Sequence, residues 1–99
     1  GVKLVDERSL RRARYDHGVM IDRVAPNGPA DAAGLRGITY RGREVAQPGD
    51  LIVAINGQAI ANVEDYERVL RELTPGAEAK VTVERYPKKL DVTVTVGGV

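Results

Sequence analysis

The chain has 99 residues, enough for one domain, with a 42% hydrophobic and 29% charged composition that is ordinary for a globular fold. Fifteen basic residues face fourteen acidic ones, a net charge of +1, so bulk charge gives no attraction for nucleic acid or another polyanion. The lack of cysteine excludes disulfides, thiolate metal sites and a cysteine nucleophile, and no apolar run reaches the ~18 residues of a membrane span.

Taken in chain order, Val2 to Val5 reads as a short strand. Ser9 is placed to cap a short helix running through Tyr15, with Leu10 and Ala13 on one face, and His17-Gly18 breaks it. Val19 to Val24 is a nearly continuous apolar run and predicts a buried strand. Ala25-Pro26-Asn27-Gly28 is a turn, and Pro29 suits the first position of a short helix that Gly34 stops. Tyr40 to Val45 predicts a small hairpin with Gly42 at its tip. Leu51 to Ile55 predicts a strongly apolar strand, Asn56-Gly57 a tight turn, and Ala59-Ile60 a brief return. Asn62 caps the main helix, with Asp65 three residues on, and Val63, Tyr66, Val69, Leu70 and Leu73 recur at helical spacing. Thr74-Pro75-Gly76 ends that helix. Lys80 to Tyr86 and Leu90 to Val96 then alternate as the two arms of a hairpin with one buried face. Five or six short strands scattered among two or three helices exclude a doubly wound parallel sheet. They point to an α+β, mainly β fold: a small antiparallel barrel or sandwich with helices plugging its ends.

Catalytic constellations are hard to assemble from these residues. His17 is the single histidine, so a transition-metal site would have to be built from carboxylates. Ser9, the single serine, has no Gly-x-Ser-x-Gly around it and reads as a cap. Glu64-Asp65 lies in the first turn of a helix, where negative charge offsets the helix dipole. Phosphate-cradling glycine patterns are missing, no metal or other cofactor is expected, and Arg8, Arg11, Arg12 and Arg14 read as a solvated helix face. A binding role is therefore favoured over an enzymatic one.

Three segments carry a resemblance. Gly18-Val-Met-Ile-Asp-Arg-Val-Ala-Pro-Asn-Gly-Pro-Ala-Asp-Ala-Ala-Gly-Leu35 is the first, Gly49-Asp-Leu-Ile-Val-Ala-Ile-Asn-Gly57 the second. The third is Asp65-Tyr66-Glu67-Arg68-Val69-Leu70 followed by Pro75-Gly76 and the closing hairpin. In this order and at these spacings they resemble the PDZ domains of HtrA (Deg) trypsin-like serine proteases, over nearly the whole chain. The resemblance implies a single PDZ domain over residues 1–99, a partly open antiparallel barrel or sandwich of five or six strands capped by two or three helices. It also implies a permuted topology, in which Leu90 to Val96 takes the place of the first strand of animal PDZ domains.

The same resemblance implies that a peptide C-terminus adds as a strand beside the Val63–Leu73 helix. Gly1 and Val2 match the last two positions of the family's carboxylate-binding loop. Val2, Lys3 and Leu4 match the groove strand. Val63, Glu67 and Leu70 match the groove side of the helix, with Arg71 at its rim, which sends Tyr66, Val69 and Leu73 to the core. Leu4 and Leu70 are the expected walls of the pocket for an apolar C-terminal side chain. Implied partners are C-terminal or unfolded polypeptide segments and a protease domain of the same chain, without nucleic acid or membrane insertion. The chain opens on Gly1 and not Met, so it is expected to be a segment of a larger protein, a periplasmic or other extracytoplasmic serine endopeptidase whose catalytic domain lies elsewhere. The alternative is a scaffold or assembly PDZ module of a non-proteolytic or secretion-system protein. Arg36 to Pro48 is expected to be a surface insertion.

Overall fold

In a computed structural model, which describes residues 2–85 and 87–96, eight strands and three helices follow one another. They are β1 (Val2–Leu4), α1 (Glu7–Arg12), β2 (Val19–Val24), α2 (Pro29–Ala32), β3 (Thr39–Arg41), β4 (Glu44–Gln47), β5 (Leu51–Ile55), β6 (Gln58–Ala59), α3 (Val63–Glu72), β7 (Glu78–Arg85) and β8 (Lys88–Thr95). Six strands form one sheet in the order β1-β2-β5-β7-β8, with β6 paired to β5, and β3 and β4 form a separate hairpin. Every pairing is antiparallel. The sheet does not close into a barrel, so β1 and β8 stand at its two ends.

Burial explains the strand patterns. β2 lies inside the sheet and is covered on both faces: Val19 and Ile21 enter the main core, while Met20 joins Leu10 and Leu51 in a second cluster beneath α1. A strand covered on both sides reads as a continuous apolar run. β7 and β8 instead bury one face, with Val81 opposite Val92 and Val83 opposite Leu90, which requires alternation. Val69 of α3 and Ala30 and Leu35 at α2 close the main core. The turn at Asn56-Gly57 has positive φ at both residues (51° and 81°), the backbone that a tight hairpin between β5 and β6 demands.

The Gly49-Asp50 pair has a distinct physical reason at each residue. A Cβ on Gly49 would lie 1.9 Å from the Ile21 carbonyl oxygen, so only glycine lets the chain pass β2 this closely. Asp50 is 1% exposed. Its carboxylate accepts from Arg85 Nε (2.8 Å) and Nη2 (2.7 Å) and from the Arg36 amide (2.9 Å), while Arg85 Nη2 also donates to the Gly34 carbonyl (3.0 Å). One buried ion pair thus ties the end of α2, the start of β5 and the end of β7 together. The Asp50 hydrogen bonds hold the Arg85 guanidinium above its ordinary pKa.

One local expectation, the bounds and cap of the first helix, needs correction, whereas the expected surface insertion with its hairpin at Gly42 stands. Helix α1 starts at Glu7 and its cap is Asp6, not Ser9; the helix ends at Arg12 and not at Tyr15. The Asp6 carboxylate accepts from the Ser9 amide (3.2 Å) and hydroxyl (3.3 Å). An ionised carboxylate is the stronger acceptor and also offsets the helix dipole, so the start moves three residues upstream. The Arg36 to Pro48 insertion is a surface element with structure of its own, since β3 and β4 pair around Gly42 and expose every strand residue. Tyr40 is fixed through its hydroxyl, which donates to Asp22 (3.0 Å).

Candidate functional site

Strand β1 pairs with β2 on one side, Val2 opposite Val24 and Lys3 opposite Arg23, and among the described residues its other edge has no partner strand. Val2 and Leu4 pack inward against the main core, whereas Lys3 points outward. An unpaired edge of this kind presents backbone N–H and C=O groups to any chain able to align with it.

Beside the Val2 end of β1 lies an apolar cavity of about 390 Å³. Helix α3 supplies Tyr66 and Leu70, one face at i and i+4, its C-cap supplies Leu73, and Ile52, Ile55 and Val81 of the sheet lie beneath. The helix starts where the sequence places it. The Asn62 side chain accepts from the Asp65 amide (2.8 Å), and Asp65 reaches back to the Ala61 amide (3.1 Å). Val94 to Val96 line the same cavity as Val2, so the two ends of the described chain meet there, as a permuted topology requires. The walls are mainly hydrocarbon. Leu70 is 42% exposed, a large hydrophobe presented at a cavity mouth rather than buried. Burial pushes the Tyr66 phenol above its ordinary pKa, so its hydroxyl stays neutral.

The far end of β1 is tied to the start of α3. Glu7 Oε1 accepts from the Val63 amide (3.4 Å) and from Arg11 Nη2 (3.4 Å), and Arg11 Nη2 also donates to the Ala61 carbonyl (3.0 Å). Helix α1 thus straps the two walls together, leaving the space between β1 and α3 open at the cavity and closed beyond Leu4.

Of the residues expected at the site, Val2 and Leu70 line the cavity together. Leu4 packs on the main core, opposite Ile21, and is not part of the cavity wall. Val63 opens α3, packs on the main core and gives its amide to Glu7. Lys3, Glu67 and Arg71 are exposed and do not line the cavity. Gly1 lies outside the described residues, so of the two positions expected in the carboxylate loop only Val2 is described. Tyr66 and Leu73, assigned to the core from the sequence, pack on it and line the cavity as well. The helical spacing of Tyr66, Leu70 and Leu73 was the signal in the sequence for this wall of the cavity.

Other polar groups are committed elsewhere. The Ser9 hydroxyl bonds to Asp6, and His17 sits between Asp16 (2.8 Å) and Glu84 (3.5 Å). The Asp16 carboxylate, helped by Glu84, raises the His17 pKa above its ordinary value. No group of three metal-ligating side chains gathers among the described residues, and none of the described helices is long and apolar enough to cross a membrane.

Comparison with known proteins agrees with this architecture. The family model described as "PDZ domain" matches residues 1–96. Protease Do-like 1, chloroplastic, of Arabidopsis thaliana is 31% identical over 96 residues, covering 97% of this chain and 22% of that protein. The serine endoprotease DegS of Salmonella typhimurium is 35% identical over 80 residues, covering 80% of this chain and 19% of that protein. A probable periplasmic serine endoprotease, DegP-like, of Hahella chejuensis is 32% identical over 94 residues, 95% of this chain and 17% of that protein. The chain therefore spans about a fifth of the length of these relatives, all named as proteases, the Arabidopsis one as chloroplastic and the Hahella one as periplasmic. Among solved structures, the HtrA3 PDZ domain bound to a phage-derived ligand (FGRWV) superposes with a TM-score of 0.67 at 20% identity, covering 96% of this chain and 80% of that one. The HtrA-type protease AlgW with decapeptide gives 0.68 at 22% identity, covering 97% and 27%. With the three motifs, an open-edged antiparallel sheet beside a single long helix and a family match over nearly its whole length, this chain belongs to the PDZ domain family, of the type found in HtrA proteases.

Proposed function

We propose that this PDZ domain binds polypeptide C-termini by strand addition to the free edge of β1, with the last apolar side chain in the cavity walled by Val2, Tyr66, Leu70 and Leu73. The observation that carries the reading is the coincidence of an unpaired backbone edge with an apolar cavity at its end. Backbone hydrogen bonds along β1 supply affinity that tolerates many sequences, and the cavity selects an apolar end. The domain itself does no chemistry. In the wider reading, residues 1–99 are one domain of a longer HtrA-type serine endopeptidase outside the cytoplasm, where capture of an exposed or unfolded C-terminus delivers substrate to a separate protease domain or regulates it. The peptide ligands named with the HtrA3 PDZ domain and AlgW structures support this mode.

The test is a titration of the isolated domain with fluorescent peptides ending in an apolar residue, as free acids and as amides. Free acids are expected to bind near micromolar, about −8 kcal/mol, and amides much more weakly. Equal binding of the two forms would rule out carboxylate capture.

A further inference from the structure

A peptide held with its last side chain in the cavity at Val2 has one way to follow β1, toward Leu4 and then α1. Strand β1 offers three residues, and the Val5 amide is already bonded to the Met20 carbonyl (2.8 Å). At ~3.3 Å per residue, the edge is used up after about three peptide residues. Beyond it the way between the walls is shut, because the Glu7 contact with Val63 and the Arg11 contact with Ala61 strap α1 to α3. Upstream residues of the peptide must therefore climb over α1.

The outer face of α1 is cationic. Glu7, Arg8, Arg11 and Arg12 line a shallow surface depression there. Glu7 and Arg11 are occupied by the strap, and Asp6 by the cap. Arg8 and Arg12 are exposed and have no ion pair among the described residues. They are four residues apart on a helix, ~6 Å along its axis. Alternate side chains of an extended peptide are ~6.6 Å apart and point the same way. Two acidic residues at alternate positions thus match the two free guanidiniums in spacing and in sign.

Resting on the groove reading above, we infer that Arg8 and Arg12 form an upstream subsite, which selects C-terminal peptides carrying acidic side chains at about the fourth and sixth positions from their end. The experiment compares three peptides with one apolar terminus and Glu, Gln or Lys at those two positions, titrated against wild type and Arg8→Gln/Arg12→Gln. Both arginines lie on the solvent face, so the variant keeps the fold, which circular dichroism checks. In wild type at about 0.05 M salt the Glu peptide should bind about three- to tenfold more tightly than the Gln peptide, as two exposed ion pairs allow, and the Lys peptide more weakly. The gap should close at about 0.5 M salt and vanish in the variant, which should hold the Gln peptide as wild type does. A wild type that binds the Gln peptide without a charge gap, or a gap that survives in the variant, overturns the inference and leaves the groove standing. A wild type that binds none of the three overturns the groove and this subsite with it.

Discussion

Replacing Asp50 by Asn removes the charge at the centre of the fold while keeping the side chain's shape. Wild-type Asp50 accepts three hydrogen bonds at 2.7–2.9 Å, two from the Arg85 guanidinium and one from the Arg36 amide. Breaking a buried ion pair from one side costs about 3–5 kcal/mol, because the remaining charge is stranded. The two partners are not equivalent, since the Arg85 side chain is 28% exposed and that of Asp50 2%. After Asp50→Asn the guanidinium can turn toward water and keep its bond to Gly34, so the expected loss is near the low end, about 3 kcal/mol. After Arg85→Met the carboxylate stays buried with only the Arg36 amide, and the expected loss is about 4–5 kcal/mol. A domain this small has a total stability of about 5–15 kcal/mol, so either change removes a large share. At about 4–8 °C per kcal/mol, Asp50→Asn should lower Tm by at least about 12 °C. Urea unfolding of wild type, both single variants and the double variant, followed by circular dichroism, gives the full cycle. The reasoning fails if Asn at 50 lies within about 0.5 kcal/mol of wild type, or if Arg85→Met is the milder of the two.

Three further outcomes are expected. Gly49→Ala should cost about 3 kcal/mol or prevent folding, because its Cβ would collide with the Ile21 carbonyl of a buried strand, and the yield of folded protein with its urea midpoint reports it. Leu70→Asp should cost about 1–2 kcal/mol of stability, since the side chain is 42% exposed but the charge falls in the last turn of α3, and should weaken apolar C-terminal peptides at least about tenfold in a fluorescence titration of the folded variant, where unchanged affinity would remove Leu70 from the site. His17 has a folded-state pKa raised first by its hydrogen bond to Asp16, so its contribution is fully present below the unfolded value of about 6.5 and fades as pH rises through the folded one. With the side chain 51% exposed it amounts to less than about 1 kcal/mol, so wild type should exceed His17→Gln in stability more at pH ~5 than at pH ~8, and the opposite trend would contradict the linkage.

Much of the fold could be read from local pattern, because each signal there had one physical cause. The unbroken apolar run at Val19 requires a strand covered on both faces, Asn56-Gly57 a positive-φ turn, and Asn62 followed by Asp65 a capped helix, and all three stand where those residues place them. The hairpin around Gly42 is likewise local. Features set by distant partners were harder to read. Asp50 follows a turn glycine and could pass for a solvated loop charge. Its burial depends on Arg85, 35 residues away, which β7 brings opposite. The start of α1 depends on a choice between two capping residues three positions apart, Asp6 and Ser9, decided by Asp6 and by the reach of Glu7 to Val63. On α3 the apolar residues span an arc wide enough to face the core and the cavity together. Val69 is fully buried in the core and Val63 packs on it, whereas Tyr66 and Leu73 pack on the core and line the cavity as well. A pattern of hydrophobic positions marks that arc without dividing it.

Strand addition is tested most directly at the backbone of β1. Amide spectra of the isotope-labelled domain, titrated with a free-acid peptide ending in an apolar residue, should show the largest shifts at Val2, Lys3 and Leu4 and along Tyr66, Leu70 and Leu73, with amide exchange slowed on β1. Unchanged β1 amides at saturating peptide would contradict the account.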